Sequence, residues 1–291
     1  MSQERLFTQG WDDYELIDAG NGKKLERWGR IITIRPEVQA YFKPGKSLAE
    51  WQALAHWEFI ENNAQSGEWH ALKADAPKQW QISYGRLRFQ LELTRFKHVG
   101  LFPEQRINWD FIKQHIEEDA RFLNLFAYTG AASCMARKLG AETVHVDSVK
   151  QLLTWAHTNM EQSNLRDIKW VREDALKFAE RELRRGKQYQ GIIMDPPAWG
   201  SGANGEKWKL NAKKLQELVE AAQGLLAKGG FLILNTYSPS ITLEDLKHLV
   251  EHYFFKARRV EVGELWARTT TGKELYYGNL LRVEHYMGYL D

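Results

Sequence analysis

Only one cysteine, Cys134, occurs in the 291 residues. That rules out an intramolecular disulfide and any zinc or iron–sulfur centre built on several thiolates, so no metal is expected and a reducing cytoplasm is the natural compartment. Long apolar runs are also missing: none approaches the roughly 18 residues of a membrane helix, and the first residues lack a cationic stretch followed by an apolar one. Neither a membrane-spanning nor a secreted chain is expected. A large excess of one charge is absent too, with 40 basic against 38 acidic side chains. Nucleic-acid binding is permitted by this balance but not demanded. Proline is scarce at 7 positions while hydrophobic residues reach 43%, a composition that folds throughout. The length suits two domains.

The first of these reads as β. Tyr14 to Asp18 and Leu25 to Ile34 flank Gly20-Asn21-Gly22, and Asn-Gly between alternating runs is a strong hairpin signal. Trp57, Phe59, Trp69 and Trp80 continue the aromatic pattern. Arg86 to Leu93 alternates apolar and polar residues and is expected to pair with Val99 to Phe102 as a second hairpin. Residues 1–83 are therefore expected to form a β-rich substrate-recognition domain, with 84–118 supplying a hairpin and a connecting helix that Pro103 starts.

From residue 119 to 291 short apolar strands alternate with amphipathic helices: strands near 122–126, 143–146, 168–172, 191–194 and 231–235, with helices between. Such alternation predicts a doubly wound, mostly parallel α/β sheet with helices on both faces. Two runs around Thr269-Thr-Thr-Gly-Lys273 predict an antiparallel C-terminal hairpin at the sheet edge.

Four residues sit where such a sheet binds ligands, at the C-terminal ends of strands: Gly130, Asp147, Asp174 and Asp195. A carboxylate only accepts hydrogen bonds, so Asp147 can take both hydroxyls of a ribose and Asp174 an exocyclic amine of a base. Each can equally be a plain helix cap. The spacing from Gly130 to Asp147 also fits a dinucleotide-binding oxidoreductase, but that turn holds one glycine where a pyrophosphate needs close backbone approach at several. A nucleoside cofactor without phosphates fits better.

After the fourth strand comes Asp195-Pro196-Pro197-Ala198-Trp199. Two prolines stiffen the turn and remove two donors, leaving the Asp195 carboxylate as an acceptor for an amine. Trp199 can stack a planar base, worth about 1–3 kcal/mol, or serve the core like other tryptophans. The loop Gly200 to Gly205 and Lys207, Lys209, Lys213 and Lys214 follow. They can close over a phosphate-bearing substrate or form an ordinary solvated face.

The strings Leu123-Asn-Leu-Phe-Ala-Tyr-Thr-Gly-Ala131, His145-Val-Asp147, Trp155-Ala-His-Thr-Asn159, Glu173-Asp-Ala175 and Met194-Asp-Pro-Pro-Ala-Trp199 resemble those of class I S-adenosylmethionine-dependent methyltransferases. Within that class the chain is most similar to the bacterial family that modifies bases of large-subunit ribosomal RNA, and Lys97 to Arg106 extends the likeness upstream. The resemblance implies a Rossmann-like fold, S-adenosyl-L-methionine as cofactor and methyl transfer to a base of RNA. It implies cofactor contacts from Gln105, Arg106, Phe126, Tyr128, Thr129, Gly130, Asp147, Ser148, Asp174, Ala175 and Asp195, with Asp195, Pro196, Pro197 and Trp199 lining the methyl-transfer end. Relatives that methylate carbon five of cytosine use a cysteine near the fifth strand or the Asp-Pro-Pro turn. Here that strand leads into Asn235-Thr-Tyr-Ser-Pro239. A nitrogen acceptor is therefore expected. A protein or small-molecule methyltransferase and a non-catalytic cofactor-binding protein are the alternatives.

Overall fold

The computed structural model describes residues 4–63, 66–201 and 207–286. Its chain divides into two compact units, one of residues 7–106 with 266–277, the other of residues 107–265 with the two chain ends. In order the elements are β1 (Glu4–Thr8), β2 (Tyr14–Gly20), β3 (Lys23–Trp28), β4 (Ile31–Pro36), α1 (Leu48–Leu54), β5 (Trp57–Asn63), β6 (Ser66–Ala71), β7 (Gln79–Tyr84) and β8 (Leu87–Glu92). There follow α2 (Arg106–His115), β9 (Arg121–Leu125), α3 (Ala131–Lys138), β10 (Glu142–Asp147), α4 (Lys150–Gln162), β11 (Lys169–Arg172), α5 (Ala175–Arg184) and β12 (Tyr189–Met194). The last are β13 (Trp199–Ser201), β14 (Lys207–Lys209), α6 (Ala212–Leu225), β15 (Leu226–Thr236), α7 (Leu243–Tyr253), β16 (Ala257–Arg268) and β17 (Glu274–Tyr286).

In the first unit, β2 to β6 form a five-stranded sheet and β7 pairs with β8. Asn21 and Gly22 both adopt positive φ, 51° and 76°, the geometry a two-residue hairpin turn asks of Asn-Gly. Two expectations need correcting. The run Leu25 to Ile34 is two strands, because Gly29 at φ 61° folds β4 back on β3 with Trp28 opposite Ile31. The partner of β8 is β7, not Val99 to Phe102: the chain reverses at Gly85, φ 58°, and Gln79 comes opposite Glu92.

This unit buries charge in closed sets. Asp18, with no exposed surface, accepts from the backbone of Ala19, Gly45 and Lys46, from Trp51 Nε1 and from Thr271 Oγ1. Burial pushes its carboxyl up, but these donors outweigh burial and hold it below the ordinary aspartate value. Arg35 grips both oxygens of Glu26, and Lys24 lies 3.5 Å from Glu26 and 3.2 Å from Glu37. The turn expected between the two C-terminal strands is also a partner of β2: Thr270 N donates to Leu16 O and Thr271 N to Ile17 O.

The other unit is built on the eight-stranded sheet, in the order β1-β16-β17-β15-β12-β9-β10-β11. Strands β11, β10, β9, β12 and β15 run parallel and β17 runs antiparallel to β15, the expected doubly wound sheet with its C-terminal hairpin. β1, absent from the sequence-based expectation, extends the edge beside β16. One face carries Leu125, Met194 and Leu234 into a core with Phe178, Leu215, Leu218 and Leu246 from α5, α6 and α7. On the opposite face Phe231 meets Phe111 of α2 and Phe122 of β9. Gly191 lies between these rings, and a Cβ there would come within 2.6 Å of Phe231 and 2.8 Å of Phe122, so no side chain fits. The strand order reverses between β9 and β12, which places a crevice at their C-terminal ends.

Candidate methyltransferase site

At the end of β9 the backbone turns through an unusual sequence of conformations: Phe126 at φ 57°, Tyr128 at 51° and Gly130 at 84°. Left-handed conformations in two large non-glycine residues so close together cost energy and persist only when surroundings enforce them. Three anchors do so. Tyr128 N donates to Asp147 Oδ2 at 3.0 Å, Asn159 Nδ2 donates to the Thr129 carbonyl at 2.9 Å, and Cys134 N closes the first turn of α3 on Gly130 O. A Cβ on Gly130 would stand 3.0 Å from Ala156 Cβ and 3.4 Å from the His145 ring. Behind the loop, Asn124 Nδ2 donates to Ser133 Oγ, which lies 3.0 Å from His145 Nδ1. Burial pulls His145 down to about 3, with the Tyr128 carbonyl opposing that shift, so its imidazole is neutral. Sequence reasoning did not single out Asn124, Ser133, His145 or Asn159 as supports. Asn124, His145 and Asn159 do lie in strings that carry the family resemblance, whereas Ser133 was marked only as a polar residue on an apolar helix face.

Asp147, at the end of β10, is 9% exposed and also accepts from Val149 N at 2.9 Å. Burial raises its carboxyl above the ordinary value despite these backbone donors and that of Ser148. A carboxylate has about four acceptor positions, so after these three donors room for a ribose hydroxyl is left beside the loop. Asp174 is the N-cap of α5, accepting from Lys177 N at 3.0 Å. The cap occupies one oxygen and leaves the other able to take an amine. Ala175 beside it is buried and Ser148 half-buried. This donor set, acceptor-rich and with a single glycine, fits a nucleoside carrying no phosphate. Gln105 and Arg106 belong to the other unit, where the Arg106 guanidinium lies 5.9 Å from the centre of the Tyr84 ring.

Asp195 follows β12, with Pro196 buried and Pro197 exposed. The turn is held by a small hairpin. β13 pairs antiparallel with β14, Trp208 Nε1 donates to the Pro197 carbonyl at 2.6 Å, and Leu210 N donates to Ala198 O at 3.0 Å. Much of the expected glycine-rich loop, residues 202–206, lies outside the described residues; its two flanks are strands. Trp208 also tilts against Phe126, 5.2 Å between ring centres, so one indole touches both the β9 loop and the Asp-Pro-Pro turn. Trp199 is 67% exposed and serves no core. Lys209 Nζ lies 4.5 Å from the Trp199 ring and Lys214 Nζ 4.6 Å from that of Trp208. Cys134 is fully buried, and burial pushes its thiol up to about 12.

A family model described as S-adenosylmethionine-dependent methyltransferase matches residues 51–259. The crystal structure of a SAM-dependent methyltransferase from Agrobacterium tumefaciens superposes with a TM-score of 0.91 at 34% identity, over 98% of this chain and 94% of that one. Ribosomal RNA large subunit methyltransferase K/L of Chromohalobacter salexigens is 29% identical over 79% of this chain, which spans 28% of that protein. Ribosomal RNA large subunit methyltransferase K of Neisseria meningitidis is 29% identical over 55% of this chain and 46% of its own length. The chain thus spans less than half of these curated relatives. With its rim of strand-end acids, its single-glycine turn and this matched region, the chain belongs to the S-adenosylmethionine-dependent methyltransferase family.

Proposed function

We propose that this chain is a cytoplasmic enzyme that methylates a nitrogen of an RNA base, in large-subunit ribosomal RNA. The observation that carries the reading is the exposed Trp199 beside the Asp195-Pro-Pro turn, with lysines over it and over Trp208. An exposed indole next to an acceptor carboxylate is suited to a base held by its face, and nearby ammonium groups to its phosphates. The names of the curated relatives support the same acceptor. The region of residues 1–83 takes part in choosing the substrate.

S-adenosylmethionine supplies an electrophilic methyl carbon. Asp147 would accept from the ribose, Asp174 would take the adenine amine, and the preformed loop Phe126 to Gly130 would enclose the methionine portion, with Ser148 and Ala175 flanking. Asp195 would accept a hydrogen bond from the target amine, orient its lone pair and take the proton that the nitrogen gives up on gaining the methyl, which leaves the cofactor's sulfur neutral. Positioning supplies most of the rate for such a displacement. A nitrogen needs no covalent activation, consistent with a lone cysteine that is buried and protonated.

Labelled S-adenosylmethionine, incubated with the protein and with RNA or protein extracts from cells lacking it, is expected to deliver label to RNA. Mass spectrometry of the digested RNA should then find a new N-methyl base. Label confined to protein, to small molecules or to carbon five of cytosine would overturn the reading.

A further inference from the structure

The C-terminal end of β15 carries polar side chains that the fold does not use up. Asn235 is 1% exposed and Thr236 1% exposed; among the described residues no group pairs with Asn235 Nδ2 or with Thr236 Oγ1. A buried amide donor left over in this way is costly unless something else meets it.

The direction of the Asn235 amide follows from the groups behind it. Arg282 is a donor only. Its Nη2 and Nε reach Asn108 Oδ1 at 2.8 and 3.3 Å, and Nη2 also donates to the Ile107 carbonyl at 3.1 Å. Glu261 at 3.0 Å and the Phe111 ring, 4.6 Å from the guanidinium carbon, fix the arginine. Asn108 must therefore present its oxygen to Arg282 and its NH₂ to Asn235, and Asn108 Nδ2 lies 2.5 Å from Asn235 Oδ1. With its oxygen turned to Asn108, Asn235 points its NH₂ the other way. Three buried side chains act as a relay of orientation, from a guanidinium that cannot reverse to an amide at the rim.

Position selects what that amide meets. Met194 and Leu234 are register partners on the parallel strands β12 and β15, so Asp195, the first residue after β12, leaves the sheet beside Asn235 of β15. The cofactor loop and Asp147 follow β9 and β10, on the other side of β12. Asn235 is therefore on the acceptor side of Asp195.

We infer that Asn235 is a substrate-reading residue: its amide donates to a carbonyl oxygen or ring nitrogen next to the amine that Asp195 receives. The pair reads an edge with an N–H donor flanked by an acceptor, as an amide or amidine edge of a nucleobase presents. This rests on the reading of the acceptor as a base. Removing one preorganised donor at a reacting group typically costs about 10²- to 10³-fold in turnover.

The test compares Asn235→Asp, Asn235→Ala and Asn108→Asp. The first puts an acceptor of the same shape where the donor stood. The third leaves Asn235 intact but turns it round, because an aspartate at 108 accepts from Arg282 and can only accept from Asn235. Calorimetry with S-adenosylhomocysteine reports both folding and cofactor affinity; labelled methyl transfer is counted separately in RNA and protein fractions. All three variants are expected to bind S-adenosylhomocysteine within about threefold of wild type and to lose about 10²-fold in turnover. Wild-type turnover in Asn235→Asp, or a loss of cofactor affinity equal to the loss of turnover, would overturn the assignment. If the Asn235 variants fail to bind, Asn108→Asp is decisive alone: full turnover in it overturns the relay. Should wild type label only protein, the RNA reading fails, while the dependence on Asn235 is still measured on that acceptor.

Discussion

Two buried aspartates, one in each unit, show opposite ways of keeping a carboxylate out of water. Asp18 meets five donors and is held below its ordinary value; Asp147 meets backbone donors at the end of β10 and stays above it. The donors around Asp18 come from segments 27 to 253 residues away as well as from its neighbour. They exhaust its lone pairs, so nothing further can bind. Those around Asp147 come from its own loop and the adjacent one, and leave acceptor capacity at the crevice. A saturated acid supports the fold, whereas a raised one with an acceptor position to spare can still take a ligand.

The comparison predicts a graded set of outcomes. Asp18→Asn faces several N–H groups with an NH₂ and should lower unfolding free energy by at least about 3 kcal/mol in denaturant titrations. Because the Asp18 carboxyl is depressed in the fold, its contribution is complete above the unfolded value of 3.8 and fades as pH falls through the folded value. The deficit of the variant should therefore shrink below about pH 4. Asp147→Asn should change stability by less than about 2 kcal/mol yet weaken S-adenosylmethionine binding about 10- to 100-fold by calorimetry, the worth of a charged hydrogen bond. If Asp147→Asn destabilised the protein as much as Asp18→Asn and left affinity intact, the distinction between the two acids would collapse. Trp208→Phe keeps the packing on Phe126 but deletes the donor to the Pro197 carbonyl. It should lower turnover about fivefold, the value of one ordinary hydrogen bond, with cofactor affinity unchanged in the same titration.

The parts legible in the sequence were those whose physics is local. Asn21-Gly22 announced its turn, the strand–helix alternation announced the sheet, and the places of Gly130, Asp147 and Asp195, after β9, at the end of β10 and after β12, could be read from the apolar strands before them. Gly29 was not recognisable as a turn, since one glycine within the apolar run Leu25 to Ile34 reads as well as a strand interior. Asp174 was correctly open to two readings, and it does cap α5. The orientation relay through Arg282, Asn108 and Asn235 was invisible because its members are 174 and 127 residues apart, and nothing in a linear string marks an amide's direction. For the same reason the sequence offered no sign that Trp208 joins the β9 loop to the Asp-Pro-Pro turn.

The partnership of Thr271 with Asp18 has a consequence for the order in which the chain can mature on the ribosome. The unit that begins at residue 7 is finished by residues 266–277, so its buried carboxylate awaits a hydroxyl that is synthesised 253 residues later. The β-rich unit precedes the parallel strands in the sequence yet is sealed only after β9 to β15 have been made. A chain cut short before Trp266 would lose the closing donor of its first unit along with the edge of its sheet.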